Sequence, residues 1–479
     1  MATLLHRNFI AGNLDEGPAD SRIPVLNPAR DTVISEIPDS PAEAVDRAVG
    51  AARQAQKAWA KLPPIQRAAH LRQIAAGIRA DAGRIARAIV EEQGKILSLA
   101  EVEVAFTADY LDYTAEWARR IEGEIIASDR PGENIFLFRQ PIGVVGGILP
   151  WNFPFFLIAR KAAPALITGN TIVIKPSEET PNNAAMFAEI VRAAGVPAGV
   201  INFVFGRGAT TGKALAGHPG VGMISFTGSV ETGRAVMAAA AQNITKVNLE
   251  LGGKAPAIVV ADADVRLAVD AIRASRIINS GQVCNCAERV YVERRVADEF
   301  VSGLAEAMGK TTYGDPLAGQ AVEMGPLINR AGLDKVKSLV DGAVAAGAEV
   351  VTGGKVADRG AGSYFEPTVL VNCRQDMDVM RKEVFGPVLP VNVVDSLDEA
   401  IERANDSIYG LTSSVYTSNL QTALRVCNEL RFGETYINRE NFEAMQGFHA
   451  GARQSGIGGA DGKHGLYEFT QTHVVYIQG

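Results

Sequence analysis

The chain of 479 residues has little cysteine, four residues in all, and only six histidines and three tryptophans. Four cysteines spread over that length exclude the disulfide framework of a small secreted scaffold. A zinc site is also unsupported. Cys284 and Cys286 stand one residue apart, without a second pair or a nearby histidine. No long basic run interrupts the mixture of 47 Lys and Arg with 54 Asp and Glu, so nucleic acid is not an expected partner. No apolar run is long enough to cross a bilayer. The opening MATLLHRNFI lacks an apolar core before a small-residue cleavage site. These absences predict a cytoplasmic protein with no membrane partner and no metal.

What is present is ordinary hydrophobicity, 47% of residues, and plentiful glycine, as in α/β enzymes. The length exceeds one ordinary core, so two large domains are expected. Residues 40–124 carry helical spacing. Ser40-Pro41-Ala42-Glu43 predicts a helix start, with Ser40 as its cap. IEGEIIASD and NIFLFRQ flank the turn Arg130-Pro131-Gly132-Glu133 and predict a β-hairpin. The closing YEFTQTHVVYIQG also reads as strand, and these outlying strands predict sheet extension between subunits. From 141 to 260, the apolar runs IGVVGGIL, TIVIK, VINFVF, GMISF and APAIVV alternate with helical stretches. That rhythm predicts a doubly wound parallel sheet. A second α/β series spans about 255 to 440, with strands near RVYVE, AEVVTG, PTVLV and SSVYT. Residues 438–459 have no period, and a loop of that length is expected to be functional.

Five stretches carry chemistry. In SGQVCNCAER, residues 280–289, small and polar neighbours favour a nucleophilic thiol, which needs access and positive potential. The residues alone favour Cys284 over Cys286 only by a small margin. Cys373 and Cys427 read as small buried hydrophobes. Glu250, before Leu251-Gly252-Gly253, is a general base if desolvated and a surface carboxylate if not. In PWNFPFF, Asn152 follows a strand and precedes Pro154, a suitable helix start. Its amide suits a developing oxyanion, and equally suits a helix cap. If that helix continues, Phe156 and Arg160 share a face. In IKPSE, Lys175 ends a strand, where open α/β sheets bind ligands. A lysine there holds a ribose or phosphate. A carboxylate there accepts ribose hydroxyls and repels a 2′-phosphate, favouring NAD over NADP; the alternative is a surface ion pair. Gly206-Arg207-Gly208 with Gly212 is one residue too long for a dinucleotide fingerprint. Thr227-Gly228-Ser229 with Gly233 places donors at a helix start, where a pyrophosphate is favoured.

In this order, PWNFP, KPSE, FTGS, LELGGK, GQVC and EVFGPVLPV resemble the aldehyde dehydrogenase superfamily over nearly the whole chain. The resemblance implies two doubly wound α/β domains with a β-hairpin oligomerisation element. Residues 1–120 and 140–250 would be the Rossmann-like NAD-binding domain, 251–440 the catalytic domain, and 121–139 with 460–479 the oligomerisation element. It implies Cys284 as nucleophile, Glu250 as the base that activates water, and Asn152 with the Cys284 amide as oxyanion hole. It implies NAD as cofactor, with Lys175 and Glu178 on the adenosine ribose, Ser229 on the pyrophosphate, Glu383 on the nicotinamide ribose and Phe385 near the nicotinamide. Leu149, Trp151, Ser177, Gly212 and Leu251 would complete the cofactor site. A homo-oligomer, dimer or tetramer, is implied.

Longer stretches, among them WNFPFFLIARK and INSGQVCNCAERVYV, resemble the branch that oxidises small 2-hydroxyaldehydes such as lactaldehyde and glycolaldehyde. Many relatives carry Pro-Phe-Gly-Gly in the late loop, where this chain has Phe448-His449-Ala450-Gly451. The likeness implies Arg160, Asn285, Glu443 and His449 as substrate ligands, able to pair a hydroxyl and so to penalise plain alkyl aldehydes. Alternatives are a dehydrogenase for a semialdehyde, with Arg160 facing the anion, or for an aromatic aldehyde. A cofactor-free thiol esterase would leave KPSE and FTGS without a role. A non-catalytic binding protein would not need the thiol and the base.

Overall fold

The structure, a computed structural model, describes residues 4–17 and 21–479. The helical spacing of 40–124 resolves into four helices, Ala42–Trp59, Pro64–Ala80, Ala82–Gln93 and Leu97–Glu116. Ser40 does not cap the first of them. The cap position is Pro41, and the Ser40 hydroxyl instead accepts from Asn8 Nδ2 at 2.9 Å. The helical region ends in a 3-10 turn over Trp117–Arg119, and residues 124–126 are strand.

The first sheet has five parallel strands in the order Lys246–Glu250, Met223–Thr227, Val144–Ile148, Thr171–Lys175, Ile201–Phe203. The chain starts in the middle, runs outward one way, then returns to the other side. Ligand crevices form at that switch, beyond the carboxyl ends of the strands. Short antiparallel strands, Gly456–Ile457 at one edge and Asn8–Ile10 with Asn13–Asp15 at the other, extend it to eight. APAIVV was expected in this sheet as well; Ala255–Val259 lies in the second, and Lys246–Glu250 takes the fifth place.

The second sheet runs Glu349–Thr352, Thr368–Val371, Val388–Val394, Ala287–Glu293, Ala255–Val259, Thr412–Tyr416, Glu434–Ile437. All neighbours are parallel except the outermost pair, Glu349–Thr352 with Thr368–Val371. Its central strands are fully buried, which matches their unbroken apolar runs.

The hairpin is present as Glu124–Ile126 and Glu133–Pro141. The terminal strand Thr470–Gln478 pairs antiparallel with Glu133–Pro141 of the same chain, forming a three-stranded sheet whose outer strands are Thr470–Gln478 and Glu124–Ile126. The Pro154–Ile167 helix is buried along its whole length, packed on the first sheet and on the Pro64–Ala80 and Leu97–Glu116 helices. Each large apolar side chain so buried contributes about 1.5–3 kcal/mol. This anchors the helix whose first turns reach the cleft. Cys373 is buried as expected. Cys427 is exposed, because Val426 is the residue that its helix, Leu420–Glu429, buries. Among the described residues, no helix is long and apolar enough to cross a membrane.

Candidate active site

A cavity of about 290 Å³ opens where the carboxyl ends of the first sheet's strands face the amino ends of the second sheet's strands. Cys284, Asn152 and Glu250 line one wall system, together with Trp151, Ser229, Leu251, Glu383, Phe385, Arg160, Asn285, Glu443 and His449. These come from both sheets, from the buried helix and from the late loop.

The cysteine loop is held rigidly from behind. Asn279 and Ser280 both take left-handed backbone conformations, with φ of 48° and 58°. Such residues cost of order 1–3 kcal/mol each and persist only when their surroundings fix them. Here Ser280 Oγ donates to Gly325 O at 2.8 Å, and the Gln282 side chain bridges Asn279 O, at 3.0 Å, and Ile328 N, at 2.9 Å. Gly281 follows with φ of +76°, and a Cβ there would lie 2.3 Å from Gly386 O. The close approach that this glycine permits is therefore by the chain itself.

The loop separates the two thiols. Cys284 is partly exposed on the cavity; Cys286 is buried, with Arg276 Nη2 donating to its sulfur at 2.8 Å. Burial pushes the Cys286 thiol up to about 12 despite that arginine. A thiolate forms there only at high cost, and Cys284 is the thiol that lines the cavity.

Asn152 follows the Val144–Ile148 strand, and its Nδ2 donates to Gln282 O at 3.1 Å. An amide nitrogen carries two N–H groups, so one remains for the cavity. Asn152 does not cap the next helix. Glu103 does, accepting from Phe155 N at 2.9 Å and Phe156 N at 3.1 Å. Lys95 completes the arrangement, with Nζ 2.6 Å from Glu103 Oε2 and 2.7 Å from Asn152 O. Both side chains are fully buried. Sequence reasoning missed Glu103 and Lys95. The available signal was a glutamate on the apolar stripe of Leu97–Glu116, beside Ala100, Val104 and Thr107.

Glu250 ends the Lys246–Glu250 strand, and its carboxylate oxygens are buried without a hydrogen-bond partner. Burial pushes it up to about 7, opposed by the charges of His449, Arg160 and Lys161. A carboxyl group poised near neutrality can exchange protons in both directions. Lys161, also missed, is buried beside it and donates to Ser225 Oγ at 3.1 Å and Thr227 Oγ1 at 2.9 Å. Burial pushes Lys161 down to about 7.

The opposite wall is a charged network. Arg160 grips Asp461 with Nε and Nη2, and its Nη2 lies 3.3 Å from Glu443 Oε1. Glu443 also accepts from Asn285 Nδ2, while Asn285 Oδ1 is buried and unpaired. His449 Nδ1 lies 2.5 Å from Glu434 Oε1, and Nε2 lies 3.6 Å from Glu250 Oε2. Neither Asp461 nor Glu434 was marked in the sequence. The guanidinium is thus an ion-pair partner and a wall residue at once. Phe106, Phe156 and Phe442 form an apolar flank.

Of the other residues expected at a cofactor, Leu149, Lys175, Ser177, Glu178 and Gly212 lie outside the cavity lining, around the end of the Thr171–Lys175 strand, while Ser229 is on the lining. Lys175 Nζ is 2.5 Å from Glu178 Oε2, and Gly208 N donates to Glu178 Oε1 at 3.1 Å. Gly212 lies against Lys175; a Cβ there would be 4.0 Å from Lys175 Cδ. Leu149 N donates to Lys175 O at 3.1 Å, and Ser177 Oγ accepts from Glu179 N at 3.2 Å. Ser229 caps the Val230–Ala241 helix by accepting from Thr232 N at 3.2 Å.

Towards the cavity mouth, Glu383 is half-buried, accepts from Gly253 N at 2.8 Å and is pushed up to about 6 by desolvation. Phe385, with φ of 57°, meets Trp151 edge-on at 5.6 Å between rings. Lys335 lines the mouth and was not foreseen. A dinucleotide fits this chemistry. A carboxylate–ammonium pair stands at the outer end, a capped helix start in the middle, and a carboxylate with two aromatic rings beside Cys284.

The family profile for the aldehyde dehydrogenase family matches residues 16–475. Lactaldehyde dehydrogenase of Escherichia coli (strain K12) is 62% identical over 473 residues, 99% of this chain and 98% of that protein. The crystal structure of lactaldehyde dehydrogenase from E. coli superposes with a TM-score of 0.99 and 62% identity, covering 100% of both chains. Betaine aldehyde dehydrogenase from Staphylococcus aureus, solved in complex with NAD+, gives a TM-score of 0.96 at 36% identity, covering 99% of this chain and 95% of that one. Fold, motif order and full-length likeness agree: the chain belongs to the aldehyde dehydrogenase family.

Proposed function

We propose that this protein oxidises small 2-hydroxyaldehydes, lactaldehyde and glycolaldehyde, to their carboxylic acids with NAD. The observation that carries the reading is the meeting of Cys284, Asn152 and Glu250 with a polar wall in one cavity. The 62% identity to the E. coli lactaldehyde dehydrogenase supports the substrate class.

Cys284, as thiolate, adds to the aldehyde carbon and leaves a tetrahedral oxyanion. The free N–H of Asn152 and the Cys284 amide hold that charge, and losing one such donor typically costs about a hundredfold or more. NAD, when bound, supplies the acceptor for the hydride that leaves the carbon, so that a thioester remains on Cys284. Glu250 takes a proton from water, which hydrolyses that thioester. The residues proposed to hold NAD are Leu149, Trp151, Lys175, Ser177, Glu178, Gly212, Ser229, Leu251, Glu383 and Phe385. Glu178 offers ribose hydroxyls a carboxylate and disfavours a 2′-phosphate.

Arg160, Asn285, Glu443 and His449 are the proposed ligands of the substrate hydroxyl. Charge separates this reading from a semialdehyde dehydrogenase. Arg160 is already paired with Asp461 and Glu443, and His449 with Glu434. At that wall a substrate carboxylate would find both cations already paired, and would face Glu443. A neutral hydroxyl finds both donors and acceptors, including the unpaired Asn285 Oδ1.

Residues 1–120 with 140–250 form the NAD-binding domain, 251–440 the catalytic domain and 121–139 with 460–479 the oligomerisation element of a cytoplasmic homo-oligomer. Ile125, Phe138, Tyr476 and Ile477 expose apolar surface on the three-stranded sheet, which supports assembly through it. The deciding experiment is a steady-state screen of lactaldehyde, glycolaldehyde, succinate semialdehyde and benzaldehyde, each with NAD and with NADP. The hydroxyaldehydes with NAD should give the highest kcat/KM. A preference for succinate semialdehyde would overturn the substrate assignment.

A further inference from the structure

We infer that His449, clamped between Glu434 and Glu250, is a positioning residue for proton transfer: as an imidazolium it keeps Glu250 ionised and sets the pH range in which that carboxylate activates water. The inference rests on the reading of Glu250 as the base, and it assigns His449 a second task besides meeting the substrate hydroxyl.

Glu250 is a buried carboxylate with no hydrogen-bond partner on either oxygen. An ionised group so placed needs a facing cation, or it takes up a proton. Three cations stand near it. Arg160 is committed to Asp461 and Glu443. Lys161 is committed to the hydroxyls of Ser225 and Thr227, and burial weakens its charged form. His449 directs Nε2 at Glu250 Oε2 from 3.6 Å, and it leads the charges that oppose the burial of Glu250.

The imidazolium is itself supported. Nδ1 lies 2.5 Å from Glu434 Oε1, and the Tyr436 hydroxyl donates to Glu434, which keeps that carboxyl ionised. Burial and Arg160 act to deprotonate His449, but Glu443, a contact with Cys284 and Glu434 outweigh them, and its pKa stands above the ordinary histidine value. The charged and titratable groups around the ring are therefore Glu250, Glu434, Glu443, Arg160 and Cys284, with Asp461 behind Arg160. Of these carboxylates, Glu250 is the one left without a hydrogen bond.

The test isolates deacylation. p-Nitrophenyl acetate would acetylate Cys284 without cofactor, and the slow phase after the p-nitrophenolate burst reports hydrolysis of the acetyl-enzyme. Removing an opposite charge at this range moves a carboxyl pKa by about 1–3 units. His449→Gln should therefore move the acid limb of the deacylation rate upward by about one unit or more, a loss of about tenfold at pH 6.5, with the alkaline plateau nearly kept. Glu434→Gln, which leaves the imidazole in place but removes its support, should move the limb the same way by less. It carries the test if the first variant does not fold.

An acid limb that stays at the wild-type pH in both folded variants, with only KM for lactaldehyde raised, would overturn the inference and leave His449 as a substrate ligand. If Cys284→Ala still hydrolyses the ester at the wild-type rate, the thiol reading itself fails. That result is separate, because failure of the present inference alone leaves Cys284→Ala inactive.

Discussion

Two buried charge clusters flank the cysteine loop, and they differ in how well their carboxylates are satisfied. Behind the loop, Glu288 meets Lys254 Nζ at 2.6 Å and Arg276 Nη1 at 2.8 Å, and accepts from Val384 N at 3.0 Å and Phe385 N at 3.1 Å. Burial works to raise its pKa, yet these partners hold it down at about 2. In front, Glu250 is equally buried, has no hydrogen bond, and is pushed up to about 7. The first carboxylate keeps its charge throughout the neutral range and organises backbone. The second stands near its midpoint, where a small change in surroundings changes its charge. Burial alone therefore does not mark a reactive group; burial without satisfaction does.

The largest expected effect separates the two thiols that sit between these clusters. Cys284→Ala should lower NADH formation by more than about 10⁴-fold, as loss of a covalent nucleophile does. Cofactor binding, followed by quenching of tryptophan fluorescence, should persist. Cys286→Ala should stay within a few-fold of wild type in kcat. A requirement that moved to Cys286 would reverse the assignment of front and back.

Glu250→Gln comes next. General-base loss costs about 10²–10⁴-fold, read as slowed deacylation. The same variant should be more stable than wild type in alkaline solution. The folded pKa of Glu250, about 7, lies above its unfolded value, so its contribution is fully present below about pH 4.5 and is lost as pH rises through 7. At pH 8 the ionised carboxylate is a burden that glutamine lacks. The gain is at most about 3 kcal/mol, and smaller wherever His449 pairs with it. Urea titrations at pH 5.5 and pH 8 check the sign; a variant less stable at both would place Glu250 with the satisfied cluster.

This contrast explains how much of the site was legible in the sequence. Cys284, Asn152 and Glu250 each sit beside glycine, proline or a strand end, so their local setting announced a special position. That Cys284 faced the cavity was legible through the GQVC resemblance, but the physical reason was not. One residue separates them, and the decision belongs to Arg276, eight residues before Cys284 and folded back onto Cys286. Whether Asn152 capped its helix was decided by Glu103, which is 52 residues from Phe155 in sequence. Glu434 and Asp461 were passed over because an isolated carboxylate has no period and no motif; their meaning lies in the His449 and Arg160 that they meet. The parallel strands were legible from their apolar runs. The assignment of APAIVV to a sheet was not, because both sheets demand the same fully buried pattern.

The third prediction tests the satisfied cluster. Glu288→Ala leaves Lys254 and Arg276 as buried, unpaired cations, and breaking such a pair costs about 3–5 kcal/mol. Lys254 relieves part of this, since burial already pushes it down to about 8. Because Glu288 titrates far below its unfolded value, its stabilising effect is present above about pH 4.5 and fades as pH falls towards 2. The gap between wild type and variant, measured by urea unfolding, should narrow over that interval. The variant should also bind NAD more weakly, since Glu288 holds the backbone of Phe385 next to Glu383. Unchanged stability at pH 7 would erase the distinction between the two clusters.

The smallest expected effect concerns a pair between the two extremes. Glu178 is paired with Lys175 at 2.5 Å, as Glu288 is paired, yet its side chain is 31% exposed, so it is open to a ligand. Lysine 175 and the Gly208 amide draw it below the ordinary carboxylate range against burial. It is therefore ionised at neutral pH, and a 2′-phosphate would meet a full negative charge there. Glu178→Gln removes that repulsion and keeps one hydrogen-bond acceptor. It also releases the Lys175 ammonium, which is buried and would then favour an anion. Both changes act in one direction, and the ratio of kcat/KM for NAD over NADP should fall about tenfold, the equivalent of 1.4 kcal/mol. Part of the Glu178 charge is already spent on Lys175, which keeps the shift below what an unpaired carboxylate would give. A ratio that does not move would mean that cofactor choice is made elsewhere, and that this pair is a structural clamp like the one behind the cysteine loop.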